Sequence, residues 1–173
     1  MSKISPLAFI DPEAKIGENC EIGPFCFIDK NVEIGDNNVL MNSVSVLYGA
    51  RIGNGNVIFP GAVISAVPQD LKFRGEDTTA EVGDNNKIRE NVTINRGTAA
   101  KGKTCVGSGN LLMESVHVAH DAFVGNDCII GNGTKLAGEI IIDDHAIISA
   151  NVLMHQFCRV GGYTMVGGGT RFS

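Results

Sequence analysis

Long apolar runs, paired cysteines and an excess of positive charge are all missing from this sequence of 173 residues. No apolar stretch approaches the roughly 20 residues that a bilayer-spanning helix needs. The amino-terminal segment MSKISPLAFIDPE is a poor signal peptide, because Pro6, Asp11 and Pro12 interrupt its short apolar part. We therefore expect a soluble, cytoplasmic protein with no membrane span.

The five cysteines are odd in number and form no CxxC pair, which favours reduced thiols over a disulfide framework. The net charge of −5 gives no support for binding to nucleic acid or to an anionic membrane. The charge is uneven, because seven of the 14 basic residues lie between Lys72 and Lys103, beside only five acidic residues. The segment 72–103 is either a solvated face or a binding site for an acidic partner or a phosphorylated ligand.

An aliphatic residue or Met recurs at every sixth position through most of the chain. Many of these positions are followed directly by Gly, and most are followed three residues later by Gly, Asn or Asp, which form corners readily. The residue two before is usually small, so Cys20, Cys26, Cys128 and Cys158 are predicted core residues. The repeated positions are Ile4, Ile10, Ile16, Ile22, Ile28, Ile34, Leu40, Val46, Ile52, Ile58, Ile64, Val82, Ile88, Ile94, Val106, Leu112, Val118, Val124, Ile130, Leu136, Ile142, Ile148, Met154, Val160 and Val166.

A period of six excludes an amphipathic helix, whose period is 3.6, and a coiled coil, whose period is 3.5. It predicts a parallel β-helix, in which short strands form the sides of a prism and successive coils pair along its axis. We predict one domain over residues 1–173, with loops at about 65–81 and 96–105 where the period fails. Loops carried on a rigid solenoid are frequent binding elements.

The repeated [LIV]-G-x4 pattern resembles the hexapeptide-repeat acyltransferase family. The resemblance implies a left-handed helix, three hexapeptides in each coil, and a trimer. The periodicity alone gives no handedness, since parallel crossovers are normally right-handed.

With three hexapeptides in a coil, a single corner carries the same place in three successive coils: His120, Gly138 and Gln156. Alternation turns His117 and His155 outward on the same strip, whereas His145 lies on another face and is interpreted as a surface residue.

This row suggests a chemistry for hydroxyl acylation. Imidazole is the usual base near pH 7, so His120 is a candidate general base, with Asp121 fixing its tautomer. The backbone N–H of Gly138 is a candidate donor to a developing oxyanion. The alternative is a set of surface polar residues without a role, with Asp121 present only as a corner former.

Four motifs in order cover essentially the whole chain and resemble the UDP-N-acetylglucosamine O-acyltransferase family, which carries out the first step of lipid A biosynthesis. They are QDLKFRG at Gln69–Gly75, IRENVTINRG at Ile88–Gly97, NLLMESVHVAHD at Asn110–Asp121 and MHQFC at Met154–Cys158. The resemblance implies transfer of an (R)-3-hydroxyacyl chain from acyl carrier protein to the 3-hydroxyl of UDP-N-acetylglucosamine. It implies a homotrimer with its clefts between subunits, direct attack by the sugar hydroxyl, and no cofactor or metal.

The resemblance also implies roles for individual residues. His120, Asp121 and Gly138 match the catalytic positions, and Gly168 matches the position that limits acyl-chain length. The substrate-binding positions are matched by Asp70, Lys72, His117, Glu139, His155 and Gln156.

Three departures from the family pattern bear on activity. Asn95 and Glu139 stand where some relatives have His. The C-terminal helical region of the family, which helps to hold nucleotide and carrier protein, is absent from this sequence. We expect the coils still to trimerise, and leave the activity of the chain without that region open.

Three rival interpretations remain open on the sequence. A zinc-dependent γ-type carbonic anhydrase uses the same prism, and His117, His120 and His155 could be its ligands. The N-acyltransferase that acts later in the same pathway carries an extra N-terminal domain, whereas here the repeat starts by Ile4. The third is an inactive, truncated β-helix scaffold.

Overall fold

The computed structural model describes all residues from Met1 to Ser173 and contains 26 short strands and no helix. None of its elements is therefore a helix that could cross a membrane. In chain order the strands are β1 (Lys3–Ile4), β2 (Phe9–Ile10), β3 (Lys15–Ile16), β4 (Glu21–Ile22), β5 (Phe27–Ile28), β6 (Glu33–Ile34), β7 (Val39–Leu40), β8 (Ser45–Val46), β9 (Ala50–Ile52), β10 (Val57–Ile58), β11 (Val63–Ala66), β12 (Thr79–Val82), β13 (Lys87–Ile88), β14 (Thr93–Asn95), β15 (Lys103–Val106), β16 (Leu111–Leu112), β17 (His117–Val118), β18 (Phe123–Val124), β19 (Ile129–Ile130), β20 (Lys135–Leu136), β21 (Ile141–Ile142), β22 (Ile147–Ile148), β23 (Leu153–Met154), β24 (Arg159–Val160), β25 (Met165–Val166) and β26 (Arg171–Phe172).

The strands form three parallel sheets, and each strand pairs with the strands three before and three after it. The first sheet runs from β1 to β25, the second from β2 to β26, and the third from β3 to β24. Where no loop intervenes, the residues of one coil pair with those three hexapeptides further on, as in Val118↔Leu136 and Leu136↔Met154. The predicted parallel β-helix with three hexapeptides in each coil is therefore confirmed.

The repeated aliphatic residues fill the bore of this prism. All of them are buried except Ile4, Ile10 and Ile16, which lie in the first coil and have no coil below them. Burial of each such side chain contributes about 1.5–3 kcal/mol. Three of the four predicted core cysteines are at most 1% exposed, while Cys158, near the other end, is half-buried.

The corners between the sheets have a common conformation. At nearly every repeat, the third residue after the aliphatic one has positive φ, which turns the chain from one sheet into the next. At one corner, buried asparagines also tie the coils together. Each side-chain oxygen accepts the backbone N–H one coil further on, from Asn56 to Asn38 at 2.8 Å and from Asn86 to Asn56 at 2.9 Å.

Two loops leave the prism, at 67–78 between β11 and β12 and at 96–102 between β14 and β15. They are shorter than the predicted 65–81 and 96–105, because the flanking residues pair as strands, for example Glu81 with Cys105. Both loops lie at the corner between the second and third sheets. In the following coils, the same corner carries His120, Gly138 and Gln156.

Candidate active site

The corner between β17 and β18 begins a row of residues that continues through the next two coils. The backbone N–H of Glu139 donates to the carbonyl of His120 at 3.1 Å, and that of Phe157 donates to the carbonyl of Gly138 at 3.3 Å. With the register of β17, β20 and β23, these bonds place His120, Gly138 and Gln156 in one row. The stacking expected from the sequence is present.

His120 and Asp121 form a hydrogen-bonded pair within this row. The Nδ1 atom of His120 lies 2.8 Å from Oδ2 of Asp121. The sequence placed His120 on an external strip, but it is only 7% exposed, because the two loops fold over the corner. This burial gives the imidazole a shielded position that periodicity alone does not predict.

The loop at 96–102 holds the Asp121 carboxylate. Thr98 donates to it twice, from its backbone N–H to Oδ1 at 3.0 Å and from its hydroxyl to Oδ2 at 2.6 Å, and the N–H of Lys101 adds a bond of 3.2 Å. Burial by itself raises the pKa of Asp121, but the hydrogen bonds from Thr98 and His120 outweigh it and leave the pKa below its ordinary value. The carboxylate is thus ionised at neutral pH, and Nδ1 of His120 carries the proton that faces it.

Acid should remove the stabilisation that this carboxylate provides. Because its pKa is lowered in the folded protein, the contribution is complete above the ordinary aspartate value of 3.8 and is lost as pH falls through the folded pKa. We expect Asp121→Asn to lower the unfolding free energy by about 2 kcal/mol at pH 7, since it places an amide among buried donors. The difference in unfolding free energy between the parent and Asp121→Asn should narrow below pH 3.8, as measured by denaturant titration.

Asp127 provides the matched control, since it is a corner aspartate with nearly the same φ, 54° against 60° for Asp121, but has an exposed side chain. Asp127→Asn should change stability by less than about 0.5 kcal/mol. A stability loss for Asp121→Asn that does not depend on pH would contradict the conclusion that the ionised Asp121 carboxylate stabilises the fold.

Gly138 packs directly against the imidazole. A Cβ at this position would lie 2.5 Å from Cε1 and 2.6 Å from Nε2 of His120, so any other residue would displace the imidazole ring. Its N–H has no hydrogen-bond acceptor in the chain. The same position in other hexapeptides, two residues after the aliphatic one, carries Pro12, Pro24 and Pro60, so this N–H is not needed for the solenoid's own hydrogen bonds. At Gly138, the unused donor lies beside His120.

An open groove of about 370 Å³ extends from this corner along the second sheet. His117 lines it and has a lowered pKa, first because of burial and then because of the charges of Lys135 and His120. The hydroxyl of Thr93 lies 2.6 Å from Nδ1 of His117. If the hydroxyl donates, Nε2 of a neutral His117 is left as a donor into the groove. The groove is lined by one residue of the first loop and ten residues of the coils: Gln69, His117, Ala119, His120, Lys135, Leu136, Ala137, Gly138, Leu153, Met154 and Gln156.

A second cavity, of about 190 Å³, lies between the two loops beside this groove. Asp70, Lys72 and Glu139 line it together with Thr98. Asp70 links the two spaces, because its Oδ2 lies 4.0 Å from Nε2 of His120. The fold thus brings the predicted residues of the QDLK motif to the histidine of the HVAHD motif.

Other predicted residues lie apart from the groove. His155 is exposed at the same corner but does not line it, and Gly168 belongs to a different corner, between β25 and β26. His145 lies at another corner, where it stacks on Tyr163 at 4.6 Å between ring centroids. The side chain of Asn95 is buried, and its Nδ2 has no hydrogen-bond partner.

The sequence interpretation missed several residues that support the site. Thr98 and Lys101 hold Asp121 from a loop that breaks the hexapeptide period, so no register placed them. The hydroxyl of Thr104 accepts the backbone N–H of Asp121 at 2.9 Å. Lys135 could have been found, because it pairs with His117 in the register that repeats from coil to coil.

Sequence and structure comparisons identify relatives of this chain among known proteins. No protein-family model matches the sequence. The chain is 46% identical, over 169 residues, to the acyl-[acyl-carrier-protein]–UDP-N-acetylglucosamine O-acyltransferase of Aliarcobacter butzleri, covering 97% of this chain and 65% of that protein. The chain therefore spans a little under two thirds of that curated relative's length.

Two crystal structures are similar to the fold. The UDP-N-acetylglucosamine acyltransferase of Bacteroides fragilis is 75% identical, with a TM-score of 0.96 over 98% of this chain and 67% of that one. The enzyme of Francisella novicida is 43% identical, with a TM-score of 0.96 over 98% of this chain and 62% of that one.

The three-sheet fold and the matched structures together define a left-handed parallel β-helix of the hexapeptide-repeat acyltransferase class. Within that class, the chain belongs to the UDP-N-acetylglucosamine O-acyltransferase family. The family assignment disfavours the zinc-enzyme interpretation.

Proposed function

We propose that the protein transfers an (R)-3-hydroxyacyl chain from acyl carrier protein to the 3-hydroxyl of UDP-N-acetylglucosamine, the first step of lipid A biosynthesis. The observation that carries the proposal is the buried His120–Asp121 pair with Gly138 packed on its ring, at the mouth of a groove. The relatives' names state the acyl donor class and the acceptor.

The geometry supports direct attack by the sugar. With a proton on Nδ1 held by Asp121, the Nε2 lone pair of His120 accepts the proton of the 3-hydroxyl as its oxygen attacks the thioester carbonyl. The oxyanion accepts the free N–H of Gly138. Collapse breaks the carbon–sulfur bond, and the departing thiolate takes the proton from His120. The products are the sugar ester and the free thiol of the carrier.

The remaining contacts are proposed from the cavities and the family resemblance. Asp70, Lys72 and Glu139 hold the sugar nucleotide in the space between the loops. His117 and Gln156 line the groove for the acyl chain and sugar. In a homotrimer with clefts between subunits, two residues outside this chain's own groove complete the site: His155 as a substrate contact and Gly168 at the acyl-chain end. The donor and acceptor are cytoplasmic molecules, so we place the protein in the cytoplasm.

A transfer assay tests the proposal. UDP-N-acetylglucosamine is incubated with acyl carrier proteins that carry 3-hydroxyacyl chains of graded length. We expect a 3-O-acyl sugar nucleotide as product and a free carrier thiol in equal amount. The matched control is a 3-deoxy acceptor, which has no attacking hydroxyl and should release no thiol. Transfer to an amine acceptor alone would contradict the proposal and favour the N-acyltransferase alternative.

A further inference from the structure

Arg96 is a mostly buried cation that forms no ion pair, although Asp29 and Asp77 line the same cavity. The residue is only 8% exposed, and its Nε has no hydrogen-bond partner. The guanidinium instead lies over two aromatic rings, with Cζ 5.0 Å from the ring centroid of Tyr48 and 5.3 Å from that of Phe73. An unpaired buried charge is costly, and stacking on aromatic faces is the main compensation visible here.

The two rings belong to different parts of the protein. Tyr48 follows β8, two coils before β14, whereas Phe73 is in the loop at 67–78. The planar guanidinium therefore joins the loop to the rigid prism, an arrangement that suits arginine better than lysine. A bond of 3.0 Å from the Tyr48 hydroxyl to Asp77 adds a second tie near the end of the loop.

Arg96 also lies where the two loops begin. Its backbone N–H donates to Ala66, the last strand residue before the first loop, at 2.9 Å. The next residue, Gly97, donates to Thr79 at 3.1 Å and accepts from the hydroxyl of Thr78 at 2.5 Å. Both ends of the first loop are thus bonded to the segment that leads to Thr98, which holds Asp121.

Phe73 and Asp70 share one turn of the loop. The N–H of Phe73 donates to the carbonyl of Asp70 at 3.0 Å, and the N–H of Lys72 donates to its carboxylate at 2.9 Å. The Asp70 carboxylate in turn faces His120 at 4.0 Å. Because both residues share this turn, a contact that fixes the Phe73 ring also fixes the position of Asp70 relative to the His120 imidazole.

We propose that Arg96 is a positioning residue that clamps the loop at 67–78 over His120, because its guanidinium contacts both Phe73 of the loop and Tyr48 of the prism. The proposal rests on the proposed function for its effect on substrate binding, but the clamp itself is a property of the free protein. Under this proposal, Arg96 holds Asp70 and Lys72 in position before the sugar nucleotide binds.

Hydrogen exchange tests the clamp without substrate. We expect Phe73→Leu to speed exchange of the loop amides at 67–78 by about tenfold, the size of one cation–π contact, with β17 and β20 unchanged. Phe73→Tyr keeps an aromatic face and should exchange like the wild type. The matched control is Phe59→Leu, which breaks another arginine–phenylalanine contact, with Arg89 at 4.4 Å, at a different corner. Equal loop exchange in Phe73→Leu and wild type would overturn the clamp.

Steady-state kinetics test the role of the clamp in binding the sugar nucleotide. We expect Phe73→Leu to raise the KM for UDP-N-acetylglucosamine about tenfold and to change kcat by less than about threefold. Adding Arg96→Ala to Phe73→Leu should raise KM little above its value in Phe73→Leu alone, because either change already breaks the Arg96–Phe73 contact that joins the loop to the prism. If the double variant raised KM by the product of the two single effects, direct coupling between Arg96 and Phe73 would be contradicted. A wild-type protein without transfer activity would refute the proposed function, while the exchange result would still decide the clamp.

Discussion

Replacement of His120 by alanine should lower kcat for acyl transfer by about a thousandfold, the usual contribution of a positioned general base. The change removes the only side-chain nitrogen in the corner row that is hydrogen-bonded to a buried carboxylate. It should leave the fold intact, because Asp121 keeps its three bonds from Thr98 and Lys101. The rate is measured as thiol release from the acyl carrier protein at saturating UDP-N-acetylglucosamine.

His145→Ala is the control for this experiment. His145 is a corner histidine, near Asp127 at 4.0 Å, but its side chain is 44% exposed and lies away from the groove. We expect it to keep a wild-type rate, and both variants to melt within a few degrees of the parent. Equal rates for His120→Ala and the parent would remove His120 from its proposed role.

Replacement of Gly138 by alanine should lower kcat by about a hundredfold without removing the backbone N–H. The added methyl group would occupy the space of the His120 ring, because its ideal position lies 2.5 Å from Cε1. The ring must turn or shift, which weakens its bond to Asp121 and misdirects Nε2. A displacement on the order of 1 Å at a reacting group costs about a hundredfold in rate.

Gly161 offers a matched control for the glycine change. It is another corner residue, where a Cβ would meet nothing closer than Thr164 Oγ1 at 3.7 Å. Gly161→Ala should therefore keep both stability and rate. A Gly138→Ala protein with the parent's kcat would mean that the close packing on His120 has no catalytic importance.

The sequence predicted the prism because each coil needs an inward aliphatic residue at every side and a residue that accepts positive φ at nearly every corner. The row of His120, Gly138 and Gln156 followed from counting three hexapeptides to a coil, and the structure has the same row. The contact between His120 and Asp121 was expected from adjacency at a corner. These features are local or periodic, which is why a single sequence contains them.

The parts that sequence reasoning missed depend on the loops. The path of residues 67–78 and 96–102 follows no period, so neither the burial of His120 nor the bonds from Thr98 to Asp121 were predictable. The same is true of Arg96, whose two aromatic partners, Tyr48 and Phe73, are distant from it in the chain. Gly138 was predicted as a donor, but its fit against the imidazole is visible only when both coils are built.

The most direct measurement is a crystal structure of the protein with UDP-N-acetylglucosamine bound. The account predicts the 3-hydroxyl oxygen of the sugar at about 3 Å from Nε2 of His120, within reach of proton transfer. It also predicts the nucleotide between the two loops, against Asp70 and Lys72. A sugar bound with its 3-hydroxyl at another corner of the prism, out of reach of His120, would contradict the account.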